Sequence, residues 1–442
     1  MASSRVVISR WGWSVVGGGL AALLLGFVTE NLLLLVLPTV TLALATTELL
    51  AFDWATRDFG PAWFRWQRFE NSSQVPIDGV GSMALQLDRE GHRPFYAEVF
   101  DPQPDAFEVV AGSPRLVTWW AASSPARLAY VYRPRQRGRF RIGPTIVVAH
   151  DPLGLGFRMA KLENRWEVLV TPALSVEEGT TVAPLGAAGP SDAYRHRVGT
   201  GTEFHALREY QSSDDVRKIA WRRSALDKIY VRESEEEAHP EILILLDASR
   251  DMRLGVPGRE TLEQAVEGGT VLAGQVIRGS DRVGLLVFSD RALEFVPPNR
   301  GTSQAQALTE AFGRVYLDPA TFDLSGALAF AQAQLTSPST LVLFSSLFTS
   351  AGPSEESMSA LRTHGHRLVA VCPQVATQFP SSPDPLAVRT VAFALEPVVQ
   401  QVGHEVERLR ASGVPVLTYA APDVREAIAE LYAWTRSYRG SG

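Results

Sequence analysis

Charge is absent from two long runs near the start of the chain. Trp11 to Thr29 carries none, Glu30-Asn31 interrupts, and Leu32 to Thr47 is again uncharged. Each run comes close to the roughly 20 apolar residues that a helix needs to cross a bilayer. A signal peptide has an apolar core of only about 7–15 residues and no second span directly behind it. The pattern therefore predicts a two-helix transmembrane hairpin within residues 1–53. Gly18, Ala22 and Gly26 recur every four residues and predict a small face for close helix packing in lipid. Pro38 is a potential kink that neighbouring groups can repair.

From about residue 69 to 180 the pattern changes to short alternating apolar stretches between Pro and Gly. The predicted strands are Ser82–Leu87, Tyr96–Phe100, Arg115–Trp120, Ala129–Tyr132, Thr145–Ala149 and Trp166–Val170. Strands at this spacing, bounded by turn residues, predict an antiparallel β-sandwich. The basic run from Arg133 to Arg141 reads either as an anion or lipid-headgroup patch or as a charged hairpin protecting a sheet edge, with Gly138 favouring the turn. Ser175–Gly201 is poor in apolar anchors and reads as a mobile loop.

The period changes once more over residues 239–438. Continuous apolar runs at Ile242–Leu246, Val283–Phe288, Leu341–Phe344, Arg367–Val371 and Val416–Tyr419 alternate with helical patterns at Arg259–Arg278, Gln304–Val315 and Leu324–Leu335. Leu293–Val296 is placed to pair beside the second run. Strands apolar on both faces, alternating with helices, predict a parallel sheet covered on each side. The expected fold class is thus α/β plus all-β: a transmembrane helical hairpin, a β-sandwich, then a doubly wound α/β domain. In such sheets ligands bind beyond the carboxyl ends of the strands. Here that end carries Asp247–Asp251, Ser289-Asp290, Ser345-Ser346 and Cys372.

Between the β-rich and α/β segments lies a polar stretch, 201–237, in which opposite charges interleave with apolar anchors. A disordered linker would lack the anchors and an amphipathic helix would show a cleaner stripe. The stretch reads as an extended or helical connector pinned by ion pairs and buried aromatics. Its residues follow the pattern G-x-E-F, L-R-x-Y, D-x-x-R-x-I-x-W, S-A at Gly201, Glu203, Phe204, Leu207, Arg208, Tyr210, Asp214, Arg217, Ile219, Trp221, Ser224 and Ala225. This resembles the signature of the membrane-anchored prokaryotic proteins catalogued as domain of unknown function 58. Ser213 stands where that family usually has Gly, and Leu226 where it has Arg. The Asp151-Pro-Leu-Gly-Leu-Gly segment is also similar to the family and is taken as structural. The resemblance implies a cytoplasmic protein partner, a MoxR-type ATPase, and a role in assembling or maturing protein complexes.

The α/β segment resembles a von Willebrand factor A domain, a family that holds Mg²⁺ with D-x-S-x-S after the first strand, a later Thr, and an Asp after the fourth strand. Carboxylate and hydroxyl oxygens suit a hard cation that keeps a position open for a partner's carboxylate. Asp247 and Ser249 match, but Asp251 replaces the second Ser, Phe322 falls at the Thr position with Thr321 one residue off, and Ser346 falls at the Asp position. Asp251 or Asp323 is the candidate for a compensating oxygen. Asp247 and Ser249 alternatively cap the following turn or helix.

The remaining chemistry is sparse. Net charge is −6, which argues against a general nucleic-acid binder. Cys372 is the only cysteine, so no disulfide or cysteine-based zinc site forms within one chain. The motifs G-x-x-x-x-G-K-[ST], H-E-x-x-H and G-x-S-x-G are absent. His364 and His366 read as a solvated loop more readily than as a ligand pair. Asp214 and Asp215 lie so close to Arg217, Lys218, Arg222 and Arg223 that an ion-pair network is a simpler account than acid–base catalysis.

Cations flank the uncharged runs: Arg5 and Arg10 before, Arg57, Arg65 and Arg68 after. The positive-inside rule puts both termini and everything after residue 53 in the cytoplasm of a multi-pass membrane protein. Trp11, Trp13, Trp54, Trp63 and Trp66 are expected in the interfacial belt. The expected function is a membrane-anchored interaction scaffold, not an enzyme, with Glu203, Arg208, Tyr210, Asp214, Arg217 and Trp221 as partner-binding or structural residues. A Mg-dependent binding module using Asp247, Ser249 and Asp251 is the alternative, and an enzyme acting near Asp214 ranks third.

Overall fold

The computed structural model describes residues 6–57, 59–89, 95–120, 124–174, 197–199, 203–209, 230–236, 241–255, 260–348, 353–374, 385–420 and 423–437. Two units divide the chain, Met1–Pro172 and Ala173–Gly442.

The first unit opens with a two-residue strand, β1 (Val7–Ile8), then α1 (Arg10–Val28) and α2 (Leu32–Ala55). Both helices are long and apolar enough to cross a membrane. Ser9 caps α1 by accepting the Gly12 N–H at 2.9 Å, and Asn31 caps α2 by accepting from Leu33 at 3.0 Å. The helices run antiparallel and touch where side chains are smallest. A Cβ on Gly26 would lie 2.7 Å from the Leu34 carbonyl carbon, and one on Gly19 would lie 2.9 Å from Leu42. The expected small face is therefore rotated: Gly26 belongs to it, but Gly18 faces open space and Gly19 takes its place. Successive residues turn by about 100° on a helix, so a stripe at i, i+3, i+4, i+7 fits two packed helices better than one at strict i+4.

Strands β2 (Phe64–Glu70), β3 (Gln74–Pro76), β4 (Gly81–Arg89), β5 (Phe95–Phe100), β6 (Phe107–Gly112), β7 (Arg115–Trp120), β8 (Ala126–Pro134), β9 (Gly138–Ile142), β10 (Thr145–His150), β11 (Gly156–Leu162) and β12 (Trp166–Thr171) complete this unit. They form sheets in the orders β1-β11-β10-β5-β7, β2-β4-β8-β6 and β3-β12-β9. Alternation sets the inward face: Met83, Leu85 and Leu87 from β4 join Leu128, Tyr130 and Tyr132 from β8 and Ala97 and Val99 from β5 in one core. Phe52 from α2 enters the same core, so the helices are not a separate appendage.

Two expectations change here. The run Arg133 to Arg141 does not form a hairpin, because β8 pairs with β4 and β6 while β9 pairs with β12 in another sheet. Nor is it a field of unpaired charge: Arg135 bridges Asp78 and Glu108, and Arg141 pairs with Glu167. Trp63, expected in the interfacial belt, is half-buried and stacks on Phe95, centroids 6.0 Å apart, beside the core residues Phe59 and Phe64.

The second unit begins with strands β13 (Arg197–Gly199), β14 (Glu203–Glu209) and β15 (Tyr230–Glu236), in the order β13-β15-β14 with antiparallel pairing. It continues with β16 (Glu241–Asp247), α3 (Thr261–Arg278), β17 (Arg282–Phe288), β18 (Ala292–Asn299), α4 (Thr302–Arg314), α5 (Leu324–Gln334), β19 (Thr340–Phe344), α6 (Glu355–Thr363), β20 (Arg367–Pro373), α7 (Pro385–Ala411), β21 (Val416–Tyr419) and α8 (Val424–Ser437). The six-stranded sheet runs β18-β17-β16-β19-β20-β21, parallel except for β18.

Strand β16 is central and buried along its whole length. Ile242, Ile244 and Leu246 face one core with Leu272 of α3, Phe312 of α4 and Ile428 of α8. Leu243 and Leu245 face the other with Leu328 of α5, Leu361 of α6 and Leu409 of α7. That double burial explains why the sequence shows a continuous apolar run in place of alternation.

Candidate functional site

The parallel strands end on one edge, and their last residues meet there. Asp247 leaves β16 with its carboxylate fully enclosed. Its Oδ1 accepts the Ser249 N–H at 2.9 Å and its Oδ2 accepts the Ser345 hydroxyl at 2.7 Å. Burial pushes the Asp247 carboxyl up to about 6, against the opposing hydrogen bonds from Ser345 and Ser249. Ser249 Oγ is buried and has no hydrogen-bond partner among the described residues.

Around this pair the other strand ends close a polar network. Ser289, after β17, donates to Asp318 at 3.2 Å, and Arg291 donates to the same Asp318 oxygen at 3.1 Å. Asp318 is anchored in turn, its N–H donating to the Ala248 carbonyl at 2.7 Å. Ser346 hangs over Met252, its N–H 3.1 Å from the thioether sulfur. Cys372, at the end of β20, places its thiol 3.4 Å from the Ser346 carbonyl, and burial raises that thiol to about 12. Asp247, Ser249, Ser289, Ser345, Ser346 and Cys372 are all at most 1% exposed. Most strand-end residues named from the sequence therefore come together beneath the surface, while Arg250 and Asp290 remain exposed.

The donors of the metal reading divide. Asp251 lies beside Arg250, and burial pushes its carboxyl up. Asp323 turns away to cap α5, accepting the Gly326 N–H at 3.0 Å. Phe322 packs its ring on Phe288, centroids 5.6 Å apart, and Thr321 is exposed. Among the described residues no group of three or more His, Cys, Asp or Glu side chains converges. A Mg²⁺ ion asks for near-octahedral oxygens. Here each Asp247 oxygen accepts one protein donor and keeps a further lone pair, so Asp247 and the buried Ser249 hydroxyl supply at most three of the six oxygens. That donor set does not fit the ion as it stands.

His366, expected in a solvated loop, is instead buried: its Nδ1 accepts the Ser339 N–H at 3.1 Å, tying β19 to the turn before β20. Glu203 and Arg208 lie on β14, opposite Glu235 and Val231 of β15, so this part of the 201–237 stretch is strand. Tyr210, Asp214, Arg217 and Trp221 lie outside the described residues.

Sequence reasoning missed two ionic centres in the first unit, one buried on both sides and one with a buried arginine and an exposed carboxylate. Asp101 receives Arg68 through both terminal guanidinium nitrogens, at 3.0 and 2.8 Å, together with the Tyr130 hydroxyl at 2.7 Å and the Thr145 hydroxyl at 2.8 Å. Arg68 is thus a core residue and not a juxtamembrane cation. Arg158 of β11 donates to the Thr56 carbonyl at 2.8 Å and pairs with Asp53, closing the carboxyl end of α2. Neither centre has a local motif, since the ion-pair partners lie more than thirty residues apart.

Part of the chain has counterparts among known proteins. Residues 206–380 match the family described as "Protein of unknown function DUF58". The resemblance read from the 201–237 stretch thus holds over those residues. No curated protein sequence matches. Among solved structures, similarity is found to a conserved hypothetical protein BatB from Bacteroides thetaiotaomicron, at 14% identity over 44% of this chain and 99% of that one, TM-score 0.30. An aerotolerance-related membrane protein from Bacteroides fragilis is similar at 16% identity over 43% of this chain and 97% of that one, TM-score 0.29. Proximal thread matrix protein 1 from the mussel byssus is similar at 15% identity over 45% and 46%, TM-score 0.30.

Proposed function

We propose that this protein is a membrane-anchored, cytoplasm-facing interaction scaffold that works with a MoxR-type ATPase in assembling or maturing protein complexes. The observation that carries the reading is the pair of apolar helices, long enough to span a bilayer and fastened to a folded unit through Phe52 and Arg158. The exposed Arg10, Arg57 and Arg65 support an orientation with the folded part on the cytoplasmic side. The strand edge is read as structural and not catalytic, since Asp247, Ser289, Ser345, Ser346 and Cys372 are enclosed there. The ATPase partner follows from the family resemblance. Arg208, Tyr210, Arg217 and Trp221 are of types that tend to carry interface energy.

A Mg-dependent von Willebrand factor A-type module is the second reading, favoured by the partnerless Ser249 hydroxyl beside a buried carboxylate. Affinity capture of the full-length protein from gently solubilised native membranes, with and without EDTA, separates the two. An ATPase held in both conditions supports the metal-independent scaffold. Loss with EDTA supports the metal module, and no reproducible ATPase in either condition overturns both. Arg217→Ala adds a control on the signature stretch: loss of partner binding at unchanged stability marks an interface, whereas lost stability marks a structural pair.

A further inference from the structure

We infer that the Asp151–Gly156 turn of the β-rich unit is itself a membrane-contact element that sets Leu153 into the interfacial layer of the bilayer. The inference rests on the reading that α1 and α2 span the membrane, and goes beyond it: it assigns a lipid surface to the folded unit, not only to its anchor.

The turn is locked to the helices at a definite height. Ser9 N–H donates to the Leu155 carbonyl at 2.8 Å, and Ser9 Oγ donates to the Gly154 carbonyl at 2.6 Å. A Cβ on Gly12 would meet the Leu155 carbonyl oxygen at 2.3 Å, so the turn lies directly against the first turn of α1. On the other helix, a Cβ on Gly156 would lie 3.0 Å from Leu49. Leu49 is six residues before the end of α2, which at a rise of about 1.5 Å per residue puts the contact roughly 9 Å inside the helix end. The helix packing gives the same level independently. Gly19 meets Leu42 and Gly26 meets Leu34, so continuing the antiparallel register pairs Gly12 with Leu49. The turn therefore does not hang below the helices. It rises alongside them to the level of Gly12, flanked by the exposed Trp11 and Trp13, a residue type that concentrates at the membrane interface.

What the turn presents at that level is apolar. Leu153 is 57% exposed at its tip, and Val7 of β1 and Met159 of β11 are exposed nearby. The turn is also rigid. Asp151 accepts the Gly156 N–H at 2.8 Å and the Leu153 N–H at 3.2 Å. Behind it, Arg158 on the same strand holds the end of α2 through the Thr56 carbonyl and Asp53. A lipid surface is the occupant because the apolar tip is continuous with the lipid-facing sides of the helices. The consequence is a β-rich unit held against the bilayer in a fixed attitude, not tethered at a distance.

The test uses nitroxide quenching of single fluorescent labels in full-length protein reconstituted into phosphatidylcholine vesicles. A Cys372→Ser background carries one cysteine at a time: Leu153→Cys, Leu20→Cys at the middle of α1, or Val80→Cys. Val80 precedes β4 at the end opposite Arg89, which pairs with Phe64 near the helices, and nine residues of strand set it about 30 Å away. The expected result is severalfold stronger quenching at Leu153 than at Val80 by nitroxides placed near the headgroup, with Leu20 quenched best by nitroxides near mid-chain. Leu153 quenched no more than Val80, while Leu20 is quenched, overturns the inference and leaves the spanning helices intact. Leu20 unquenched by either nitroxide overturns the spanning reading itself, and the inference with it.

Discussion

Asp247→Asn tests the closed strand edge most directly. In the native protein the carboxyl sits fully enclosed at the end of β16, and burial raises it from an ordinary 3.8 to about 6. As pH rises above 3.8 the unfolded chain releases this proton before the folded chain does. Folding then loses free energy continuously until the folded group has also ionised, above about 6. The gap, at about 1.4 kcal/mol per pH unit, amounts to about 3 kcal/mol. Asn does not titrate, keeps an acceptor for Ser345 or Ser249, and removes only this dependence. The measurement is hydrogen exchange of the β16 amides in detergent-solubilised full-length protein, wild type against variant, from pH 4 to 7. Other titrating groups cancel in the difference, and local protection avoids treating a two-unit protein as two-state. The wild type should lose about 2 kcal/mol of β16 protection relative to Asn across that range, since at pH 4 part of the roughly 3 kcal/mol is already gone. A flat difference would refute the enclosed carboxylate. A wild-type gain that grows with pH and needs Mg²⁺ would mean a cation holds the charge, and would restore the metal site.

Arg68→Met leaves Asp101 buried without its cation, so the first unit should lose about 3–5 kcal/mol, read from exchange of the β10 amides. Gly26→Leu should lower the melting temperature of the detergent-solubilised protein, because its side chain meets the Leu34 backbone, whereas Gly18→Leu, facing open space, should leave it unchanged. Cys372 should resist maleimide at neutral pH in the folded protein and react fully once denaturant opens the sheet, since burial keeps the thiol protonated; rapid labelling of the native protein would contradict that burial.

Much of the fold is legible locally. Two uncharged runs determined two helices, and period-2 alternation with turn residues determined strands at Arg115–Trp120 and Thr145–His150 almost to the residue. Continuous apolar runs separated by helical patterns determined the parallel sheet, because a strand covered on both faces has no polar side to show. The crevice residues were equally readable, since strand ends of such a sheet share one edge. What escaped depends on rotation, register and distance. Whether Gly18 or Gly19 faces α2 turns on about 100° of helix, which composition does not encode. Strand β2 alternates too weakly to stand out and exists because β4 pairs along its whole length. Arg68 and Arg158 look like surface cations until the fold brings Asp101 to one and the end of α2 to the other. Asp247 could be named from sequence as a chemical group. Its enclosure, its Ser345 partner ninety-eight residues away and its raised pKa belong to the tertiary structure alone, because burial is a property of what packs around a residue and not of the residue itself.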